Sequence, residues 1–357
     1  SLYQELVTVG AGIEEVNAET PIEEKTSSID GIPDEPLNEN GTERSDNIDE
    51  NTFDNETVTI TEQPTSNRKP LSEVRVLLGK DSSGKEYYWE FGNKQLTNRL
   101  LLINGNSGSG KTYLIQCLLL ELSKQGIPAI IFDYTAGFLP SKLEPEFKEK
   151  MGKNLVQRIV QIDKIPVNPF ARSTVKIDEG IIIPEDNAKI ATRVRSALTN
   201  VYNFGEQQKS IIYQAIKTGM ERFGNNMSFT HLAEILTEMG EDGHKSTTDS
   251  VLNKLIPFID LDAFEDGDDF SWDTIKSSDG MVYVFQMQGY QREDQLLFVE
   301  FLLRDLWNHT QNNGEKNKPF VVVLDEAQNL RHNSESPTGK ILTEGRKFGV
   351  SGWFATQ

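Results

Sequence analysis

The octapeptide Gly105-Asn-Ser-Gly-Ser-Gly-Lys111-Thr112 stands between a short apolar run, Leu100–Asn104, and a segment, Lys111–Lys124, whose apolar residues Leu114, Cys117, Leu118 and Leu122 recur at spacings of three and four. Strand, glycine-rich turn, amphipathic helix is the order that constrains this chain most. A chain that turns through Gly105, Gly108 and Gly110 points successive backbone N–H groups inward, and the start of a helix adds its partial positive charge. The window from Gly105 through Asn106, Ser107, Gly108, Ser109, Gly110, Lys111 and Thr112 to Tyr113 therefore reads as a cradle for the phosphates of ATP. Its pattern is G-x-x-x-x-G-K-[ST], in which Lys111 reaches the β- and γ-phosphates and the Thr112 hydroxyl faces Mg²⁺. Cys117 lies on the apolar stripe and is expected in the core.

The rest of the chain supplies a frame for that unit. Val74–Leu78 and Glu86–Phe91, around the turn Asp81–Gly84, predict an N-terminal β-hairpin, and Pro128–Asp133, Leu155–Ile162, Met281–Gln286, Phe320–Leu324 and Val350–Thr356 read as strands. Strand, helix and strand within about 30 residues form a βαβ unit, so the fold class is α/β with a mainly parallel sheet. Between 187 and 264 the texture is helical: Ile190, Val194, Leu198 and Val201 share one spacing, and Ile211, Ile212, Ala215, Ile216 and Met220 another. Ser228 is a candidate N-cap for a helix to Met239, Val251–Ile259 is interrupted at Pro257, and a helix is expected over Asp294–His309. The stretch 187–264 is read as a helical insertion.

Charge divides the chain. The formal net charge is -19, yet residues 1–70 hold 17 acidic against four basic side chains, leaving 38 acidic and 32 basic in the other 287 residues. Residues 1–70, rich in Asn, Thr, Glu, Pro and Ser, lack an apolar period able to offset the entropy of ordering, and are expected to be an acidic, mostly disordered linker ahead of a domain at 71–357. One cysteine and four histidines argue against disulfides and structural zinc. No apolar run approaches membrane length and no signal-peptide pattern opens the chain, so a cytoplasmic protein without a membrane partner is expected. A start at Ser1 and an end at Gln357, straight after an apolar strand, suggest a piece of something longer, truncated at its C-terminus.

Phe320–Leu324 runs into Asp325 and Glu326 at the strand end where open parallel sheets bind ligands. One carboxylate suits the Mg²⁺ shell and the other the attacking water, which assigns Asp325 to the metal and Glu326 to the general base. Asp133 ends a strand on the same edge, as a carboxylate near the metal or as an ordinary turn acid. Gln357 closes Val350–Thr356, where an amide can contact the γ-phosphate or the water. Arg346 is a candidate to reach a phosphate of a neighbouring subunit or, equally, to lie on a solvated helix. His332 reads as a surface or capping residue. Arg193, Arg195, Lys209 and Lys217 offer phosphate contacts from the insertion, or a solvated face.

The phosphate loop, Val321-Val-Val-Leu-Asp-Glu-Ala-Gln-Asn329, Glu344-Gly-Arg-Lys-Phe-Gly349 and Phe354-Ala-Thr-Gln357 together resemble the HerA/FtsK superfamily of P-loop ATPases over about residues 72–357. Within it the chain is most similar to the HerA-like ATPase region of DptH, from DNA-phosphorothioation-dependent restriction systems. The resemblance implies a RecA-like P-loop NTPase core, a homo-hexameric ring with ATP between subunits, and double-stranded DNA in the pore. It gives Lys111, Thr112, Asp325, Glu326 and Gln357 the roles above, and Arg346 that of a trans-acting arginine. The activity implied is a DNA-translocating ATPase in a restriction and antiviral defence system, with nuclease subunits as partners. Two alternatives remain: an ATPase switch that gates a nuclease without translocating, and a VirB4-like secretion ATPase. A superfamily 2 helicase, suggested by Asp325-Glu-Ala-Gln328, is disfavoured because its acidic motif lies much closer to the phosphate loop.

Overall fold

The computed structural model describes residues 68–178, 180–265 and 270–357. The expected linker falls outside them apart from its last three residues. The hairpin is present as an antiparallel pair, β1 (Val76–Lys80) and β2 (Glu86–Trp89). Six further strands form a wholly parallel sheet: β3 (Leu101–Asn104), β4 (Ala129–Asp133), β5 (Leu155–Ile159), β8 (Val282–Gln286), β9 (Phe320–Leu324) and β10 (Val350–Thr356), in the order β3-β10-β9-β4-β8-β5. Neighbours pair in register, with Trp353 opposite Leu101, Val323 opposite both Trp353 and Ile131, and Val284 opposite Ile131. This is the RecA-like architecture expected from the sequence.

Both faces of the sheet are covered, which is why β4 and β9 read as continuous apolar runs instead of alternating ones. Alternate residues serve different cores. Ala129, Ile131, Val321, Val323, Val284 and Trp353 join α1 (Lys111–Ser123), α2 (Pro145–Met151) and the hairpin residues Val74, Val76 and Phe91. Ile130, Phe132, Val322, Leu324 and Phe285 face the other way, into the larger cluster built on α9 (Arg292–Asn313). That cluster takes in the four helices of the 187–264 stretch: α4 (Asn187–Val201), α5 (Glu206–Phe223), α6 (Phe229–Met239) and α7 (Lys245–Ile259). Asp186 and Ser228 cap α4 and α6 through their side chains, as the start signals predict for Ser228.

Where structure and sequence reading differ, the cause is local chemistry. The strand predicted to run to Ile162 stops at Ile159, because Asp163 accepts the Ile159 N–H at 3.0 Å and closes a single helical turn, α3 (Val160–Asp163). Pro257 does not interrupt α7, which runs on to Ile259 with Leu255 and Phe258 buried on either side of the proline. The sequence reading missed α2, the hairpin β6 (Thr174–Asp178) and β7 (Ile181–Pro184), α8 (Trp272–Lys276) and α10 (Pro337–Glu344). All are short: β6 and β7 are exposed throughout, and α2, α8 and α10 are too brief for their few buried residues to repeat over several turns. Among the described residues no helix is long and apolar enough to cross a membrane.

Candidate nucleotide site

The C-terminal ends of β3, β4, β9 and β10 meet on one edge of the sheet, and the octapeptide turns there into α1. Gly108 and Gly110 have φ of +76° and +88°, conformations that side chains resist, and a Cβ at Gly105 would sit 2.5 Å from Ser109 Oγ. Glycine at these points is what lets the loop close. Gly110 caps α1 without any side-chain hydrogen bond, and the first turn carries no acidic residue, so the helix presents its N-terminus to a ligand. The Lys111 ammonium folds onto the loop, donating to the carbonyls of Gly105 at 2.6 Å and Asn106 at 3.1 Å. Asn106, Ser107, Gly108 and Gly110 are exposed, while Gly105, Ser109, Thr112 and Tyr113 are half-buried.

The two acids of β9 diverge because Glu326 adopts left-handed backbone angles, φ 44° and ψ 46°, rare for a residue with a side chain. Asp325 turns inward and is 7% exposed; it accepts from the Glu326 N–H at 2.8 Å and from Thr135 Oγ1 at 3.2 Å. Burial pushes its carboxyl above the ordinary Asp range, and the charges of Asp133 and Glu326 add to the effect. A Cβ at Gly137 would lie 3.4 Å from Thr112 Oγ1 and 3.5 Å from Thr135 Oγ1, so the two threonines pack around one small residue, and Thr135 in turn reaches Asp325. This donor set fits a nucleoside triphosphate with Mg²⁺: an open helix N-terminus, an ammonium held only by carbonyls, a hydroxyl, and a buried carboxylate favoured by a cation. No group of three or more His, Cys, Asp or Glu among the described residues is arranged to hold a metal, so phosphate and water would complete the shell.

Asp133 has a different role from a metal ligand. It is 1% exposed; Oδ1 accepts from the N–H groups of Thr135 and Gly137 and from Thr135 Oγ1, and Oδ2 from the Phe138 N–H and Gln286 Nε2, both at 2.7 Å. With both oxygens committed, it fixes the 133–138 turn that carries Thr135.

Glu326 points outward. Gln357 Nε2 lies 3.4 Å from Glu326 Oε1, so the structure brings these two predicted residues together. It also adds two that sequence reasoning missed. Arg292, the first residue of α9, pairs with Glu326 Oε2 at 3.0 Å, and Tyr134 donates from its hydroxyl to the carbonyls of Asp325 at 2.5 Å and Glu326 at 3.0 Å. A basic residue at the start of a helix that follows a site-edge strand was the available signal for Arg292; Tyr134 had none.

Arg346 is not on this edge. It lies in the turn before β10, at the opposite end of that strand from Gln357, and makes no ion pair with a described residue. Its neighbour is Arg99, which donates from Nε to the Phe91 carbonyl at 2.7 Å and whose pKa is lowered by burial and by Arg346. Among the basic residues of the insertion, Arg193 is locked inside by Glu185 at 3.0 Å, Lys209 pairs with Glu206 at 2.7 Å, Arg195 stacks on Tyr213, and Lys217 is exposed. His332 caps locally, its Nε2 lying 2.8 Å from the Ala327 carbonyl. A cavity of about 400 Å³ lined by Arg193, Arg304, Trp307 and Lys340 contains no residue of the phosphate loop.

Comparison with known proteins gives the family and the fold of the chain. Two relatives, the DNA double-strand break repair helicases HerA of Sulfurisphaera tokodaii and Saccharolobus solfataricus, are 27% identical over 270 residues and 28% identical over 269, covering 71% of this chain and 49% of each relative. The chain thus spans about half the length of the curated relatives it matches. The structure of VirB4 of Thermoanaerobacter pseudethanolicus shares the fold, with a TM-score of 0.56 at 19% identity over 79% of this chain and 76% of that one. Residues 83–306, which contain the phosphate loop and most of the sheet, match the family described as helicase HerA, central domain, and the chain belongs to that family.

Proposed function

We propose that this chain is the ATP-hydrolysing motor domain of a DNA translocase. The observation that carries the reading is the convergence of Lys111, Thr112, Asp325, Glu326 and Gln357 on one sheet edge. Lys111 exchanges the Gly105 and Asn106 carbonyls for the β- and γ-phosphates, while the N–H groups at the start of α1 hold the phosphates from below. Thr112 and Asp325 would hold Mg²⁺, which when bound would neutralise phosphate charge. Glu326 takes the proton of the attacking water, and Gln357, whose amide already meets Glu326, orients that water. Arg346 sits at the far end of β10 and acts across a subunit boundary in a homo-hexamer, on the phosphates of an adjacent copy.

Duplex DNA is the proposed substrate of the motion, supported by the relatives' description as DNA double-strand break repair helicases. The resemblance to phosphorothioation-dependent restriction proteins extends the proposal to a cytoplasmic defence complex with nuclease subunits. The VirB4 likeness is one of fold, which motors and secretion ATPases share. ATP turnover with and without duplex DNA over a salt series tests the reading. Stimulation that fades with salt is expected, since phosphate contacts release counterions. No stimulation at low salt favours the nucleotide switch or the secretion ATPase. Lys111→Ala abolishes nucleotide binding; unimpaired ATP affinity in that variant defeats the site assignment.

A further inference from the structure

Arg292 opens α9, where a positive charge meets the positive end of the helix macrodipole, and the next residues, Glu293 and Asp294, carry the sign that position favours. Local preference argues against a cation here, and its partners lie on other elements. Nη2 is 3.0 Å from Glu326 Oε2, and the guanidinium lies over the Tyr134 ring, 4.7 Å from its centroid. The same tyrosine donates to the carbonyls of Asp325 and Glu326, so one ring seats the arginine and anchors the acidic turn. Asn329 Nδ2 stands 3.4 Å from Oε2 and Gln357 Nε2 3.4 Å from Oε1. Both carboxylate oxygens of Glu326 therefore face donors of the protein, whereas a general base has to offer an oxygen to the water it deprotonates.

We propose that Arg292 is a latch on Glu326: a positioning residue that parks the base against Tyr134 and α9 and restrains ATP turnover until the first turn of α9 moves away from β9. The inference rests on the reading of Glu326 as the base. Its strength is set by exposure. Both partners are about one third exposed, so the restraint is a modest one that a change in the site can overcome.

The test uses the complete chain with Mg²⁺ and no DNA, comparing wild type with Arg292→Ala and Arg292→Lys. Three quantities are measured: phosphate release, equilibrium binding of a fluorescent ATP analogue, and binding of ADP with aluminium fluoride, which mimics the transition state. In Arg292→Ala turnover rises about two- to five-fold, the range an exposed ion pair can impose. Aluminium fluoride binding tightens by a similar factor, ATP-analogue affinity stays unchanged, and Arg292→Lys falls between. Unchanged or lower turnover, or weaker aluminium fluoride binding, overturns the latch. Loss of ATP-analogue affinity makes Arg292 a phosphate ligand and overturns it too. A wild-type chain that binds no nucleotide defeats the parent reading, and the latch with it; thermal midpoints confirm that each variant is folded.

Discussion

Replacing Asp325 by asparagine should make the protein more stable at neutral pH while weakening the Mg²⁺ binding proposed for this residue. Asp325 Oδ2 and Asp133 Oδ1 each lie 3.2 Å from Thr135 Oγ1. The two oxygens are thus no more than about 6.4 Å apart, and at an effective dielectric of about 20 unit charges at that distance repel by about 2.6 kcal/mol. In Asp325→Asn the amide oxygen keeps the Glu326 N–H bond without its charge assistance, while the amide nitrogen, which cannot accept, donates to Thr135 Oγ1 instead, a combined cost of about 1 kcal/mol. A net gain of about 1–2 kcal/mol follows, which raises the thermal midpoint by about 2–3 °C for a domain of this size. The pH dependence has a definite sign. Folding raises the Asp325 pKa, through burial first and neighbouring charge second, so the penalty is fully present above the folded-state pKa and gone below the ordinary Asp value of about 3.9. Midpoints of both proteins between pH 4 and 8 are the assay: the gap is widest at neutral pH and closes towards acid. Saturating Mg²⁺ and ATP should stabilise wild type more than the variant. A variant no more stable than wild type at pH 7, or a gap that widens on acidification, refutes the reasoning.

Glu326→Gln should bind ATP normally and hydrolyse it at a small fraction of the wild-type rate; wild-type turnover in single-turnover kinetics removes Glu326 as the base. Arg193→Ala strands Glu185, 8% exposed, and frees the carbonyls of Pro169 and Ala171, so denaturant titration should show a loss of about 3 kcal/mol. A change below about 0.5 kcal/mol would place Arg193 on a solvated face instead. Burial pushes the Cys117 thiol up to about 12, so alkylation at pH 8 should track unfolding, and rapid labelling of the native protein would contradict its place in the core.

What could be read from the chain was whatever its chemistry repeats locally. The octapeptide and the stripe after it predict strand, loop and helix together, because cradle and helix are built from consecutive residues. The uninterrupted apolar runs of β4 and β9 announce a parallel sheet covered on both sides. From these the ends of β3, β9 and β10, and with them Lys111, Thr112, Asp325, Glu326 and Gln357, could be assigned to one edge. Tertiary structure alone decided what each acid does there. Asp133 and Asp325 look alike in sequence, as acids closing apolar strands. One receives Gln286 from 153 residues away and is fully hydrogen-bonded, whereas the other is left buried, short of donors and in need of a cation. Arg292 and Glu326 are brought together by two parallel strands and the helix between them, against the preference of the helix end that carries the arginine. Such pairings leave no period in a sequence, because they depend on which strand ends the sheet order makes neighbours.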